Sequence, residues 1–203
     1  MYHRFLMVIS SFFLLISCNS TMAKIDYDCI SQNASRFIEP EKSLYNLPFG
    51  VGEGYQLGQG NCTLNTHSVE SKGEFAFDFV MDVGTPIHAA RSGQVASIED
   101  RFFDGNNMAN EFNHIIIAHE DKTFSSYIHL TNAGVIVELG EFVYQGDVIG
   151  YSGNTGMSTA PHLHFEVFQT NDNCFKKGAS GRCPTIPVSF KMQIQVTKYL
   201  IMG

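Results

Sequence analysis

Residues 161–167 read Pro161-His162-Leu163-His164-Phe165-Glu166-Val167. Side chains of a strand alternate between two faces, so a period of two sends His162, His164 and Glu166 one way and Leu163, Phe165 and Val167 the other. Two imidazoles at i and i+2, backed by an apolar face, are what a strand-borne metal or acid/base site requires. An ordinary half-buried strand has the same backing, so the choice rests on donors elsewhere in the chain.

A catalytic zinc normally takes three His or carboxylate ligands and keeps a fourth position for water, so two histidines need at least one oxygen donor. Upstream, Phe75, Phe77 and Phe79 alternate with Ala76, Asp78 and Val80. That period places Asp78 opposite an aromatic layer, as the lone acid in an apolar alternation. Asp78 and His67 are the natural further candidates; His67 read alone is a polar residue in a loop-like stretch.

The rest of the chain reads as short strands between turns. Strands are expected at residues 87–90 and 94–98, followed by a Gly/Asn-rich loop at 104–110 of the kind that borders clefts. Residues 113–119 and 123–130 bracket Glu120-Asp121-Lys122 as a hairpin, with Tyr127 and His129 expected on one face. Glycines at 140, 146, 150, 153 and 156 exclude a comfortable helix there and give tight turns. Residues 191–197 alternate polar and apolar as a closing strand, and residues 24–60 read as an irregular extension leading into a strand. The fold class is therefore mainly β: an antiparallel sheet domain whose short strands are joined by Gly-rich turns.

A chain of 203 residues accommodates one well-packed domain with extensions. Arg4 precedes an apolar run over residues 5–16, too short to span a bilayer and suited to a signal-peptide core. Cleavage after Thr21-Met22-Ala23 competes with Leu15-Ile16-Ser17-Cys18, which is similar to a lipobox whose Cys becomes the lipidated first residue. Either way four cysteines remain, and pairing Cys29 with Cys62 and Cys174 with Cys183 closes the shortest loops. Removal of residues 1–23 takes away one base and no acid, which leaves 12 basic against 20 acidic residues. That balance argues against a nucleic-acid partner and against a polybasic membrane surface, so any membrane attachment would come through Cys18.

From His67 to Val167 the ordered motifs closely resemble the lysostaphin/LytM-type peptidoglycan metalloendopeptidases. The match includes Ala76-Phe77-Asp78-Phe79, Val83-Gly84-Thr85-Pro86-Ile87, Ala89-Ala90-Arg91-Ser92-Gly93-Gln94-Val95, Tyr127-Ile128-His129-Leu130, Gly146-Asp147-Val148-Ile149-Gly150, Ser152-Gly153-Asn154-Thr155-Gly156 and Pro161-His162-Leu163-His164-Phe165-Glu166. The resemblance implies that His67, Asp78 and His164 ligate zinc, that His129 and His162 are unligated catalytic histidines, and that peptidoglycan stems or crossbridges are the substrate. One departure stands out: ten residues separate His67 from Asp78, where the commonest family spacing is much shorter. Glu166 is expected to support the site or pair with a charge, while His88, His114 and His119 are expected to be surface or satisfied strand histidines. The expected organisation is a leader at 1–23, an extension packing on the core at 24–66, the metallopeptidase core at 67–170 and a C-terminal extension at 171–203. The extension at residues 24–60 could also cover the cleft as an inhibitory segment.

Overall fold

The computed structural model describes residues 24–169 and 183–191. The leader with its two cleavage signals, Cys174 and nearly all of the expected closing strand at 191–197 lie outside the described residues. Among the described residues no helix is long and apolar enough to cross a membrane.

Among the described residues nine strands form one sheet: β1 (Gln56–Gln59), β2 (Phe77–Val80), β3 (Pro86–His88), β4 (Gly93–Glu99), β5 (Asn113–Ala118), β6 (Thr123–Val135), β7 (Phe142–Val143), β8 (Val148–Ser152) and β9 (His162–Gln169). The main order is β1-β2-β9-β6-β5-β4-β7, with β8 bonded to β3 and β6. Every one of these pairings is antiparallel. Strand β4 begins at Gly93 because a Cβ there would lie 2.3 Å from the Ala118 carbonyl oxygen and 2.9 Å from His119 Nδ1. Only a glycine lets these backbones approach so closely.

One face of the sheet is the core. Leu163, Phe165 and Val167 of β9 are fully buried there with Tyr127, Ile115, Ile117 and Val95, as the alternation in β9 requires. Phe49 packs edge-on against Phe79, and Phe190 covers Phe77, Phe79 and Phe165. Each fully buried side chain of this size contributes roughly 1.5–3 kcal/mol, so the apolar face of β2 and β9 fixes where their opposite face points.

Two local expectations are corrected. Phe75 is not in the strand with Phe77 and Phe79: it lies in a turn, in a separate small cluster with Cys29, Cys62 and Phe37. The segment read as irregular contains a short helix, α1 (Tyr27–Asn33), capped by the Asp26 carboxylate, which accepts from the Asp28 and Cys29 amides at 3.0 and 3.1 Å. A cap and about two turns suffice here because a disulfide between Cys29 and Cys62 anchors the helix to the chain ahead of the site. Cys183 is also disulfide-bonded.

Candidate metal and catalytic site

Strands β2, β9 and β6 are neighbours, and their polar face forms the floor of the site. The β2–β9 register pairs Asp78 with His164 and Val80 with His162. Directly paired residues share a face, so Asp78 and His164 meet, with His164 Nδ1 2.9 Å from Asp78 Oδ1. His67 arrives from a different direction. The ten residues after it coil through successive turns, closed by Ser71 N to Ser68 O, Glu74 N to Ser71 O and Ala76 N to Gly73 O. The Cys62 amide donates to Glu74 O and the Phe75 amide to Thr185 Oγ1, so the loop is pinned from both sides. Its compact path returns the chain to the start of β2 and leaves His67 Nε2 3.4 Å from Asp78 Oδ1.

Backbone and carboxylate partners assign the imidazole protons. His67 Nδ1 faces the Gly60 carbonyl at 3.2 Å, His129 Nδ1 faces Thr155 O at 2.6 Å, and His162 Nδ1 faces Ala160 O at 2.8 Å. A carbonyl only accepts, so each Nδ1 carries hydrogen and each Nε2 presents a lone pair. His164 differs: Nε2 lies 3.1 Å from Glu166 Oε2 and Nδ1 2.9 Å from Asp78 Oδ1, and since carboxylates only accept, the metal-free ring donates from both nitrogens; a metal at Nδ1 would displace that proton. Glu166, 3% exposed, thus supports the ring from behind.

The expectation that Tyr127 and His129 share a face is overturned. Pairing runs Asn113 to Leu130 and then His114 to Ile128, so His129 is an extra residue in β6, a β-bulge. Its φ of +67° lies in the left-handed region and breaks the alternation. Tyr127 consequently stays in the core, where its hydroxyl accepts from the Ala90 amide at 2.7 Å. His129 instead lies with its ring centroid 4.6 Å from that of His162 and 6.0 Å from that of His164.

Burial opposes the charge of Asp78, but the His164 and His67 imidazoles overcome it and hold the carboxyl well below the usual carboxylate range. Burial also works against a charged His164, yet Asp78 and Glu166 raise it to about 9. His129 is pushed the other way, to about 3, first by burial and then by the His162 and His164 rings, and so stays neutral. The donor atoms of His67, Asp78 and His164 lie within 4.8 Å of one another, and all three residues are buried. His67 Nε2 is buried with no hydrogen-bond partner, 3.4 Å from Asp78 Oδ1. Two imidazole nitrogens and one carboxylate oxygen fit a zinc ion with a position left open. The cluster of Cys29, Cys62 and Glu74 does not fit one, because its sulfurs are joined to each other.

Of the remaining histidines, His88 Nδ1 meets Gly146 O, His114 Nε2 meets Ser97 Oγ, and His119 bonds Ser92 O and Ser125 Oγ. All three are bonded away from the site. Reading by motif missed Ser158, whose hydroxyl lies 3.1 Å from His162 Nδ1, and Gln59, whose amide donates to Asp78 Oδ2 at 2.7 Å.

Residues 72–175, 104 of the 203, match the profile of peptidase family M23. The chain belongs to peptidase family M23. Over 90 residues it is 36% identical to the peptidoglycan DD-endopeptidase ShyA of Vibrio cholerae, covering 44% of this chain and 19% of that one. Lysostaphin of Staphylococcus simulans is 36% identical over 92 residues, 45% of this chain and 17% of lysostaphin. The matched segment is thus less than a fifth of either relative's length. Among solved structures, the catalytic domain of the prophage-encoded M23 protein EnpA from Enterococcus faecalis, as a point variant, superposes with a TM-score of 0.50 at 19% identity. That match covers 70% of this chain and 94% of the EnpA domain and speaks for the fold. The family profile starts after His67 and Gln59, so these two contributions to this M23 site lie upstream of it.

Proposed function

We propose that this protein is a zinc-dependent endopeptidase that hydrolyses peptide bonds in the stems or crossbridges of bacterial peptidoglycan. The observation that carries the reading is the convergence of His67, Asp78 and His164 donor atoms within 4.8 Å, beside two histidines with free Nε2 lone pairs. Family membership and the resemblance to ShyA and lysostaphin support the substrate class. His67 Nε2, Asp78 Oδ1 and His164 Nδ1 would hold the zinc, which when bound polarises the scissile carbonyl and lowers the pKa of a water to about 7. Of His129 and His162, one Nε2 lone pair would accept a proton from the attacking water and return it to the leaving amine, and the other ring, once protonated at Nε2, would donate to the developing oxyanion. The Thr155 and Ala160 carbonyls hold each Nδ1–H and so leave each Nε2 free for proton transfer.

The test is zinc content of the mature protein together with release of soluble fragments from purified peptidoglycan, with and without chelator. About one zinc per chain and chelator-sensitive release of peptide-cleaved fragments are expected. Absence of zinc and of release would replace the reading with a non-catalytic regulator of another wall hydrolase. Retention on the wall without fragments would indicate a binding module. Export to the periplasm or cell envelope, lipid-anchored through Cys18 or otherwise secreted, is part of the same proposal, supported by Arg4 and the apolar run at residues 5–16. Mass spectrometry of the mature amino terminus checks it: a lipidated Cys18 or a start at Lys24 fits, and an intact Met1 sinks it.

A further inference from the structure

Asp78 has two carboxylate oxygens, and they face different groups. Oδ1 meets His164 Nδ1 at 2.9 Å, His67 Nε2 at 3.4 Å and His162 Nε2 at 3.7 Å. Oδ2 accepts from Gln59 Nε2 at 2.7 Å. The Gln59 amide is itself oriented: Nε2 also donates to Thr66 Oγ1 at 3.0 Å, while Oε1 accepts from the Thr63 and Thr66 hydroxyls, each at 3.4 Å. Thr66 is the residue immediately before His67, so one side chain ties the acidic donor to the segment that brings the first histidine.

The strand pairing explains why a glutamine reaches this point. In β1, Leu57 pairs with Phe79 and Gln59 with Asp78, so Gly58 is an extra residue and the alternation slips by one. Without that slip Gln59 would sit opposite Phe77, on the other face. A Cβ on residue 58 would lie 3.2 Å from Val80 Cγ2 and 3.5 Å from the Asp78 carbonyl oxygen, which suits glycine to the bulge.

We propose that Gln59 is a positioning residue for the metal centre: by occupying Asp78 Oδ2 it holds the carboxylate to single-oxygen ligation through Oδ1. The inference rests on the zinc reading above. A carboxylate free to rotate could offer both oxygens to the metal, fill the position a water needs and lose its orientation toward His67 and His164. Partners that orient a ligand in this way typically contribute 10–100-fold in metal affinity.

The experiment uses the full mature chain and the variant Gln59→Met, which keeps the length of the side chain and removes its hydrogen bonds. Zinc affinity is measured by competition with a chromophoric chelator, and the Co2+-substituted protein is examined by visible absorption. Unfolding of the metal-free proteins is followed in parallel. The expected result is an affinity loss on the order of 10–100-fold and weaker Co2+ bands as the metal gains a ligand, with the metal-free unfolding midpoint little changed. Thr66→Val, which keeps Gln59 but loosens its amide, is expected to shift affinity in the same direction by less. Equal zinc affinity and an unchanged Co2+ spectrum in Gln59→Met would overturn the positioning role while leaving the metal site intact. Failure of the unaltered protein to bind zinc would instead overturn the metal reading itself, and this inference with it.

Discussion

At residue scale, His129 and Tyr127 show how two neighbours on one strand serve different ends. A left-handed backbone at a non-glycine residue costs on the order of 1–3 kcal/mol and persists only where its surroundings enforce it. Here they do: the Asn113 amide donates to Thr155 Oγ1, Thr155 Oγ1 donates to Leu130 O, and Thr155 O accepts from His129. The bulged ring faces the site and the tyrosine faces the core. Replacing His129 or His162 with Ala is therefore expected to abolish peptidoglycan hydrolysis while leaving about one zinc per chain; an undiminished rate in either variant would remove that residue from the mechanism. Tyr127→Phe is expected to keep its hydrolytic rate in the folded protein and to lose about 1–3 kcal/mol of stability, since the Ala90 amide is left buried without an acceptor. A rate collapse at unchanged stability in Tyr127→Phe would instead assign that hydroxyl a part in the chemistry.

At the scale of elements, strands with one apolar face were legible and the breaks in their alternation were not. The period of two in residues 161–167 places His162 and His164 on one face because Leu163, Phe165 and Val167 are driven into the core. The same logic places Asp78. It fails for His129 and gives no hint of Gln59, because both depend on a one-residue slip that is a property of the pairing with a neighbouring strand. Phe75 was misassigned for a related reason: an aromatic residue satisfies a strand pattern equally well when it packs in a turn on a disulfide. The missed helix α1 had a visible signal in Asp26, a good N-cap residue, though with only seven residues behind it.

The β5–β6 hairpin carries a pH dependence of its own. His119 sits at its turn with Nδ1 donating to Ser92 O and Nε2 against Ser125 Oγ, and its ring packs edge-on to Tyr45. Burial is the main cause lowering it to about 4; the Arg91 charge adds to this, while Ser92 O and the Asp121 charge oppose it. The unfolded chain then binds the proton first as pH falls from about 6.5 toward 4, so this contribution is fully present above about 6.5 and is lost across that window. A loss on the order of 2 kcal/mol between pH 7 and 4.5 is expected from this residue. Urea unfolding at the two pH values checks it: His119→Gln should lose distinctly less stability than the unaltered chain, and equal losses would assign the acid sensitivity elsewhere.

At the scale of the whole molecule, the segment ahead of the family match is part of the same folded body. Tyr45 and Phe49 lie in the main core, β1 extends the sheet, and Cys29 is joined to Cys62 across 33 residues. Bridging over that distance typically contributes 2–4 kcal/mol. The double variant Cys29→Ser, Cys62→Ser is expected to lose stability of about that size and to bind zinc less tightly, because residues 59–67 hang from the bridge. Loss of stability with unaltered zinc affinity would show that the bridge does not organise the site. Such a segment could still shade the cleft, but its removal would take Gln59 with it.

The ten-residue coil between His67 and Asp78 has one last consequence, for what can be inherited or transplanted as a unit. The family profile begins at residue 72, inside that coil, whereas the side chains bonded to Asp78 begin at residue 59. A recombination or graft that respected the recognisable boundary would carry away Asp78, His129, His162 and His164 and leave one donor behind. On the proposed reading, the smallest portable site in this chain is longer than its family profile, and its leading edge is set by a disulfide-tethered strand.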